Sequence, residues 1–215
     1  FEAPDGHPKS PAFIEAAFIR YFENWPLGED GLQPLILGGK PAIEFSFSFP
    51  LPGPVHPETG EPFLYTGRAD MIGSYYGQPL IVDEKTTGSF SGFSERWNMR
   101  GQFHGYQHAA RINGYETLGC LVRGILIQKT QTQFMELPVL ISDHKIDLWL
   151  EQIARHTLPR MIECWKESYF DRIFGDACHQ FGHSCTYIEP CTSPDETQWY
   201  DSYRREEWKP LATRD

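Results

Sequence analysis

The sequence lacks a long hydrophobic run and an excess of positive charge, and each absence excludes a class of protein. No stretch approaches the ~20 consecutive apolar residues that a membrane span requires. Acidic residues outnumber basic ones, 29 against 19, and the formal net charge is −10. A strongly basic nucleic-acid-binding domain is therefore excluded. Contact with nucleic acid would need a local basic patch or bound divalent cations, which an excess of carboxylates can hold.

Cysteine is scarce and odd in number. The chain has five cysteines, three of them in its C-terminal part. This argues against a secreted disulfide framework and favours cytosolic thiols or a metal site. The chain begins at Phe1, and no charged-then-apolar segment follows it. We therefore expect a cytoplasmic protein, and either a fragment or a numbering that begins at an internal position.

The composition that is present, 40% hydrophobic over 215 residues, is that of a globular chain with a full core. Hydrophobic periodicity predicts the order helix, three strands, helix, two strands, helix and tail. The predicted helices are 11–25, 96–113, one from Ser142 to about 170 with a kink at Pro159, and a last one opened by 193–196. The predicted strands are 42–49, 63–76, 80–82, 117–128 and 133–140, with loops at 50–62 and 86–95.

This element order predicts a mixed α/β (α+β) fold with a central mixed β-sheet flanked by helices. We expect the main domain over residues 1–175, without an upstream N-terminal segment. Residues 176–215 are expected to form a cysteine-rich helical tail packed on that domain.

The residues that carry chemistry sit on two neighbouring predicted strands. Asp70 lies on one, and Asp83, Glu84 and Lys85 follow directly after the apolar strand 80–82. An antiparallel pairing brings Asp70 and Asp83 side by side, where a hard cation such as Mg²⁺ relieves their repulsion. The Glu84 side chain points to the other face, so its backbone carbonyl is the more natural ligand. Lys85 can orient or deprotonate an attacking water. Solvated charges at a strand end are the alternative.

A helical pair follows these strands. Gln102 and Tyr106 are four residues apart and share one helix face, from which both can hydrogen-bond phosphate or bases. A packed surface pair is the alternative. Arginines, including Arg68 and Arg100, are concentrated in the middle third of the chain, whereas acidic residues are most frequent over 163–207. Either a basic groove that binds DNA in a salt-dependent way or ordinary surface scatter explains them.

Taken together, these motifs resemble the RecB-family branch of the PD-(D/E)xK nucleases, with phage and prophage members, over residues 42–130. The motifs are Gly67-Arg68-Ala69-Asp70, Asp83-Glu84-Lys85 and Gln102-x-x-x-Tyr106. The resemblance implies a restriction-endonuclease-like fold in residues 1–175. It also implies hydrolysis of DNA phosphodiester bonds with Mg²⁺ or Mn²⁺, by an exonuclease of recombination, repair or phage DNA processing. A bacterial or phage-encoded protein is expected, with other recombination or phage proteins as candidate partners.

Carried onto this sequence, the resemblance assigns a role to each motif residue. Asp70 and Asp83 are the implied metal ligands, with the Glu84 carbonyl, and Lys85 is the implied catalytic lysine. Gln102 and Tyr106 are implied to act at the catalytic site and to contact DNA near it. We expect Arg68 and Arg100 to bind DNA as well.

Two features depart from the family pattern. Family members often carry a metal-ligating His in a helix upstream of the first Asp, whereas the candidate here, His7, lies in a non-helical Gly-His-Pro. Glu44 could supply a third carboxylate, or be solvated or salt-bridged. A catalytically inactive relative that binds DNA or protein and keeps a structural metal knot is therefore the alternative function.

The cysteine tail supports several interpretations. Cys178, Cys185 and Cys191 suit Zn²⁺ or an iron–sulfur cluster. The tail resembles a spaced-out version of the three-cysteine [4Fe–4S] motif that closes some RecB-family nucleases. The usual Cys-x-x-Cys is absent, and Cys164 or a His such as His183 would have to replace the distant fourth cysteine in a zinc site. Alternatively, the thiols pack the tail against Trp199 and Trp208 without metal. Cys120, within an apolar strand, is expected to be core.

Overall fold

The computed structural model describes residues 10–179 and 184–206. His7, His183 and Trp208 lie outside these residues. The strands are β1 (Leu32–Pro34), β2 (Ile36–Leu37), β3 (Lys40–Pro41), β4 (Ile43–Val55), β5 (Pro62–Tyr75), β6 (Gln78–Thr87), β7 (Gly119–Ile127) and β8 (Thr132–Leu140). The helices are α1 (Pro11–Asn24), α2 (Gly101–Ile112), α3 (Asp143–Gln152), α4 (Leu158–Glu167) and α5 (Ile188–Thr192).

The main sheet has the order β1-β5-β6-β7-β8, and β4 also pairs with β5. The β6–β7 pair is parallel and the other pairs are antiparallel. A parallel pair needs a crossover connection, which α2 provides between β6 and β7. The central strand β6 is buried, with Ile81 at 0% exposure. The predicted mixed α/β fold with a central mixed sheet flanked by helices is therefore confirmed.

The helices cover both faces of the sheet. On one face α2 and α3 contribute Phe103, Ala110 and Ile146 to the main core. On the other face Trp25, which ends α1, packs edge-on against Phe134 of β8, with ring centroids 5.1 Å apart. Cys120 is fully buried, so its prediction as a core residue is confirmed. Within 10–179 and 184–206, none of the helices has the length and apolar character to cross a membrane.

Three predicted boundaries are wrong, and one of them moves the candidate site. β4 runs through the prolines to Val55, because it lies beside β5 alone in the described chain, where a proline without an N–H is tolerated. α2 begins at Gly101 rather than 96, after a 3₁₀ turn. β6 continues to Thr87, since its parallel pairing with β7 extends to that residue. The Asp83–Lys85 segment therefore lies within a central strand instead of at its end.

The C-terminal part also differs in detail from the prediction. Ser142 caps α3, as predicted, and accepts a hydrogen bond from the Lys145 N–H at 3.4 Å. A π-helical segment, Ile153–Thr157, joins α3 to α4 just before Pro159. The predicted last helix is a 3₁₀ helix, Glu196–Ser202. Its cap is Asp195 rather than Ser193, because Ser193 ends the unpredicted helix α5.

Candidate active site

The hydrogen-bonded ladder between β5 and β6 ends where the candidate site begins. Its last pair is Met71 with Val82, and the next position in the same register sets Asp70 opposite Asp83. Asp70 Oδ2 there accepts a hydrogen bond from the Glu84 backbone N–H at 3.0 Å. The two carboxylates that the sequence pairs are therefore neighbours, and one of them is fixed to the main chain of the strand that carries the other.

A break in strand alternation orients Asp70. Ala69 and Ile72 both pack in the main core although they are three positions apart on β5. Glu44, which lies opposite Asp70 on β4, has a positive φ of 52°. Such irregularities redirect a side chain and are frequent next to active sites. Here the irregularity lets the Asp70 carboxylate reach the main chain of β6.

Asp83 is the buried acid of the site, at 0% exposure. Its Oδ2 lies 2.5 Å from Lys85 Nζ. This oxygen accepts no hydrogen bond of good geometry from the described residues. Burial raises the pKa of Asp83 to about 6; Lys85 opposes this rise, and the negative charges of Asp70 and Glu84 add to it. The site therefore holds a carboxyl whose negative charge is only partly compensated.

The helix α2 supplies the next contacts to Asp83. Gln102 Nε2 donates to Asp83 Oδ1 at 3.4 Å and to Tyr106 Oη at 2.7 Å. Tyr106 Oη in turn donates to the backbone carbonyl of Arg68 at 2.7 Å. Burial raises the pKa of Tyr106 to about 12, so its hydroxyl stays a donor. The predicted shared face of Gln102 and Tyr106 is present, and it points into the protein; contact of this pair with DNA stays a prediction.

Glu84 projects to the opposite face of the sheet, as alternation predicts. Its Oε1 accepts a hydrogen bond from Tyr21 Oη of α1. Desolvation by the surrounding atoms raises the pKa of Glu84, although the residue keeps contact with solvent. Arg123 lies beside it, as its register partner on β7.

Arg123 is buried at 2% exposure, so it belongs neither to a basic groove at the surface nor to scattered surface charges. Its Nη2 lies 2.8 Å from Asp30 Oδ2 and 3.0 Å from Glu136 Oε1. The guanidinium carbon also stands 4.6 Å from the centre of the Trp25 ring. Two carboxylates and an aromatic face thus hold this guanidinium away from solvent, because an unpaired buried charge is costly.

The remaining predicted residues lie around this centre. Arg68 Nε donates to Ser46 Oγ at 3.0 Å, and its Nη1 lies 3.5 Å from Glu44 Oε2. Glu44 is thus salt-bridged, as one of its two interpretations expects. Arg100 is exposed directly before α2 and stacks over Trp97, with its guanidinium carbon 5.7 Å from the ring centre.

No three His, Cys, Asp or Glu side chains converge into a metal-holding group within the described residues. Glu44 is salt-bridged to Arg68, and its role as a third ligand beside Asp70 and Asp83 stays a prediction. Cys178, Cys185 and Cys191 are all partly buried, with the Cys185 N–H donating to the Cys178 carbonyl at 2.7 Å. A metal or cluster at the tail stays a prediction, as does a metal-free packed tail.

Sequence reasoning did not find Tyr21 or the role of Arg123. Tyr21 belongs to the apolar face of α1, where an aromatic residue indicates only packing. Arg123 did carry a signal, because the antiparallel β7–β8 pairing sets it directly opposite Glu136. Opposite charges facing each other across two apolar strands indicate an internal ion pair.

Comparisons with known proteins add little to this geometry. No family model matches the chain, and no curated protein sequence matches it. The solved structure of SSO0001 overlaps 66% of this chain at 15% identity and a TM-score of 0.37. A protein of Eubacterium rectale whose name describes a presumed exonuclease overlaps 78% at 18% identity and a TM-score of 0.42. This chain spans 59% and 57% of those two chains. Both scores are low, so the function is argued from this chain's own residues.

Proposed function

We propose that this chain is a metal-dependent deoxyribonuclease that hydrolyses phosphodiester bonds of DNA, as an exonuclease of recombination, repair or phage DNA processing. One observation carries the proposal. Asp83 is fully buried, its Oδ2 has the Lys85 ammonium as its contact, and Asp70 lies next to it. Burying a carboxylate beside a second carboxylate is unfavourable unless further positive charge compensates the pair. Buried carboxylates with a raised pKa often mark functional sites.

The donor set fits a hard divalent cation. Mg²⁺ in phosphate-processing sites takes one or two carboxylates, several waters and substrate oxygens rather than a cage of protein ligands. Asp70 and Asp83 would hold Mg²⁺ or Mn²⁺. The Glu84 carbonyl would join them, because the N–H and C=O of one strand residue point to the same side and this N–H points at Asp70. The bound cation would polarise the phosphodiester and stabilise the leaving oxyanion.

The protein's own side chains supply the rest of the chemistry. Lys85, 29% exposed at its side chain, has the reach to orient an attacking water and to place an ammonium against developing negative charge. Gln102 holds Asp83 through Oδ1 and leaves Oδ2 for other partners. Tyr106 fixes Gln102 to β5 through the Arg68 carbonyl. This support keeps the carboxylate in one orientation during turnover.

Cleavage of end-labelled linear and closed circular DNA with Mg²⁺ or Mn²⁺ tests the proposal. We expect loss of linear DNA that stops with EDTA and is absent in Lys85→Ala. Lys166→Ala, which removes an exposed lysine of α4, is the matched control and should cleave normally. Normal cleavage by Lys85→Ala would rule out the assignment. Loss of both DNA forms would mean an endonuclease.

The second candidate is a nuclease-fold module that binds DNA or protein without catalysis. It is favoured by the absence of a third converging side-chain ligand in the described part of the chain. It predicts a folded wild-type sample that retains DNA in a binding assay and cleaves neither form with either cation. The intact set of Asp70, Asp83 and Lys85 argues for the enzyme.

A further inference from the structure

We infer that Tyr21 is a positioning residue of the candidate active site, which sets its affinity for a divalent cation by holding Glu84. The inference rests on the proposed function. Tyr21 lies on α1, across the sheet from α2, and its hydroxyl donates to Glu84 Oε1. No residue of α1 was assigned to the site from the sequence.

Glu84 connects the two faces of the sheet. Its backbone N–H is bonded to Asp70 Oδ2 on one side, and its carboxylate is bonded to Tyr21 on the other. Whatever fixes the Glu84 side chain therefore also fixes the backbone to which a candidate ligand is tied. Hydrogen-bond partners of this kind orient ligands, and their loss typically weakens metal affinity or activity by about 10–100-fold.

Within residues 10–179 and 184–206, Tyr21 is the side chain that hydrogen-bonds the Glu84 carboxylate. The register neighbour of Glu84, Arg123, is already engaged by Asp30 and Glu136. The charge of Arg123 favours the ionised form of the Glu84 carboxyl, whereas the negative charges of Asp70 and Asp30 oppose it. Without the Tyr21 hydroxyl, the Glu84 carboxylate would reorient among these groups, and the β6 backbone that bonds Asp70 would be held by the pairing with β7 alone.

The Tyr21 ring is held in place for this task. It packs edge-on against Trp25 and Phe134, with centroids 5.1 and 6.3 Å away. Burial and the Glu84 contact raise the pKa of Tyr21 to about 12, so the hydroxyl keeps its proton and acts as donor. Packing alone would not require the Tyr21 hydroxyl to lie at Glu84 Oε1.

The test is a titration of wild type and Tyr21→Phe with Mn²⁺ in the absence of DNA. Electron paramagnetic resonance measures the free Mn²⁺ at each step. We expect Tyr21→Phe to bind Mn²⁺ about tenfold more weakly, the lower end of the usual range for such partners. Tyr75→Phe is the matched control. Tyr75 Oη donates to Glu136 Oε2 at 2.6 Å in the same Arg123 network, without contact to Glu84. Its Mn²⁺ affinity should stay within about twofold of wild type.

A double-mutant cycle separates positioning from packing. In the Glu84→Ala background, Tyr21→Phe should change Mn²⁺ affinity no further, because the coupling runs through that one hydrogen bond. In cleavage assays, Tyr21→Phe should raise the half-saturating Mn²⁺ concentration and leave the rate at saturating Mn²⁺ unchanged. Circular dichroism and thermal melting check that each variant is folded.

Each result bears on the inference. Wild-type affinity in Tyr21→Phe, or an equal loss in Tyr75→Phe, overturns it. Wild-type affinity in Glu84→Ala overturns it too, whatever Tyr21→Phe does. Asp83→Asn distinguishes failure of the inference about Tyr21 from failure of the proposed function. If Mn²⁺ binding depends on Asp83 but not on Tyr21, the inference alone fails; if wild-type binding does not depend on Asp83, the proposed function fails with it.

Discussion

Lys85 Nζ lies 2.5 Å from Asp83 Oδ2, in an ion pair whose two members are buried to different degrees. The Lys85 side chain is 29% exposed, whereas that of Asp83 is 0% exposed. The lysine can therefore reach a substrate from solvent while the aspartate stays inside the sheet. The partly exposed ammonium of Lys85 does not fully compensate the charge of the buried Asp83 carboxylate. Substitution and titration of Asp83 can therefore test the site.

Asp83→Asn should abolish cleavage and leave the fold intact. The amide keeps the shape and the contact with Gln102 but removes the negative charge that would hold a cation. Since a bound cation contributes several kcal/mol to such transition states, we expect cleavage to fall more than ~100-fold. Steady-state cleavage and thermal melting are measured side by side. Retained activity in a folded Asp83→Asn protein would contradict the proposed metal site.

The stability of the metal-free protein should depend on pH through Asp83. Its pKa rises from 3.8 to about 6 on folding, so the folded chain binds this proton more tightly than the unfolded chain. The resulting stabilisation is present below pH 4 and is lost as the pH rises through 6. With ~1.4 kcal/mol per pKa unit, the loss is about 3 kcal/mol.

The measurement is urea unfolding in EDTA at several pH values, for wild type and Asp83→Asn. The free energy of unfolding of wild type minus that of the variant should fall between pH 4 and pH 7. A constant difference would mean that Asp83 ionises as it does in an unfolded chain.

Two arginines, each paired with two carboxylates, should differ sharply in their contribution to stability. Arg123 holds Asp30 and Glu136 at 2% side-chain exposure, whereas Arg160 holds Glu163 and Asp171 at 44%. Arg123→Met leaves the buried Asp30 and the half-buried Glu136 without their cation and should reduce the free energy of unfolding by about 3–5 kcal/mol. Arg160→Met should have a much smaller effect, because solvent screens exposed pairs.

Chemical denaturation of the two methionine variants beside wild type checks this contrast. Equal losses would indicate that the Arg123 network is open to solvent. Arg123→Lys should restore little, since an ammonium cannot bridge both acids as the guanidinium fork does.

The site was predictable where local pattern fixes it. The tight turn, Tyr76-Gly77, and the apolar start of β6 together set the register that places Asp70 opposite Asp83, in spite of the break in alternation at Asp70. Both turn residues have positive φ, 47° and 82°, as a two-residue hairpin turn requires. The spacing of Gln102 and Tyr106 likewise gave their shared face.

The contacts that depend on packing between distant elements were not predictable. Which way the Gln102 face points depends on how α2 docks on the sheet, and the periodicity of one helix does not contain that information. The Tyr21–Glu84 hydrogen bond joins residues 63 positions apart. β6 was predicted too short because Thr86 and Thr87 look like loop residues, while parallel pairing with β7 holds them in the strand.

Gly105 of α2 should be required for the close fit of this helix on β5. A Cβ there would come within 2.8 Å of Tyr65 Oη. That ring has little room to move, because it packs among Phe49 and Trp149, with centroids 5.3 and 5.1 Å away. Gly105→Ala should therefore destabilise the protein by about 1–3 kcal/mol, although alanine by itself favours a helix by ~1 kcal/mol.

Urea unfolding measures this loss, and Gly175→Ala is the control, because a Cβ at that position meets nothing within 4 Å. Since Gly105 sits between Gln102 and Tyr106, the same shift of α2 should lengthen the Gln102–Asp83 contact. We expect cleavage by Gly105→Ala to fall while Gly175→Ala cleaves as wild type does. A Gly105→Ala protein as stable as wild type would show that α2 does not rest on Tyr65. An unchanged cleavage rate in a destabilised variant would separate the packing of α2 from the orientation of Asp83.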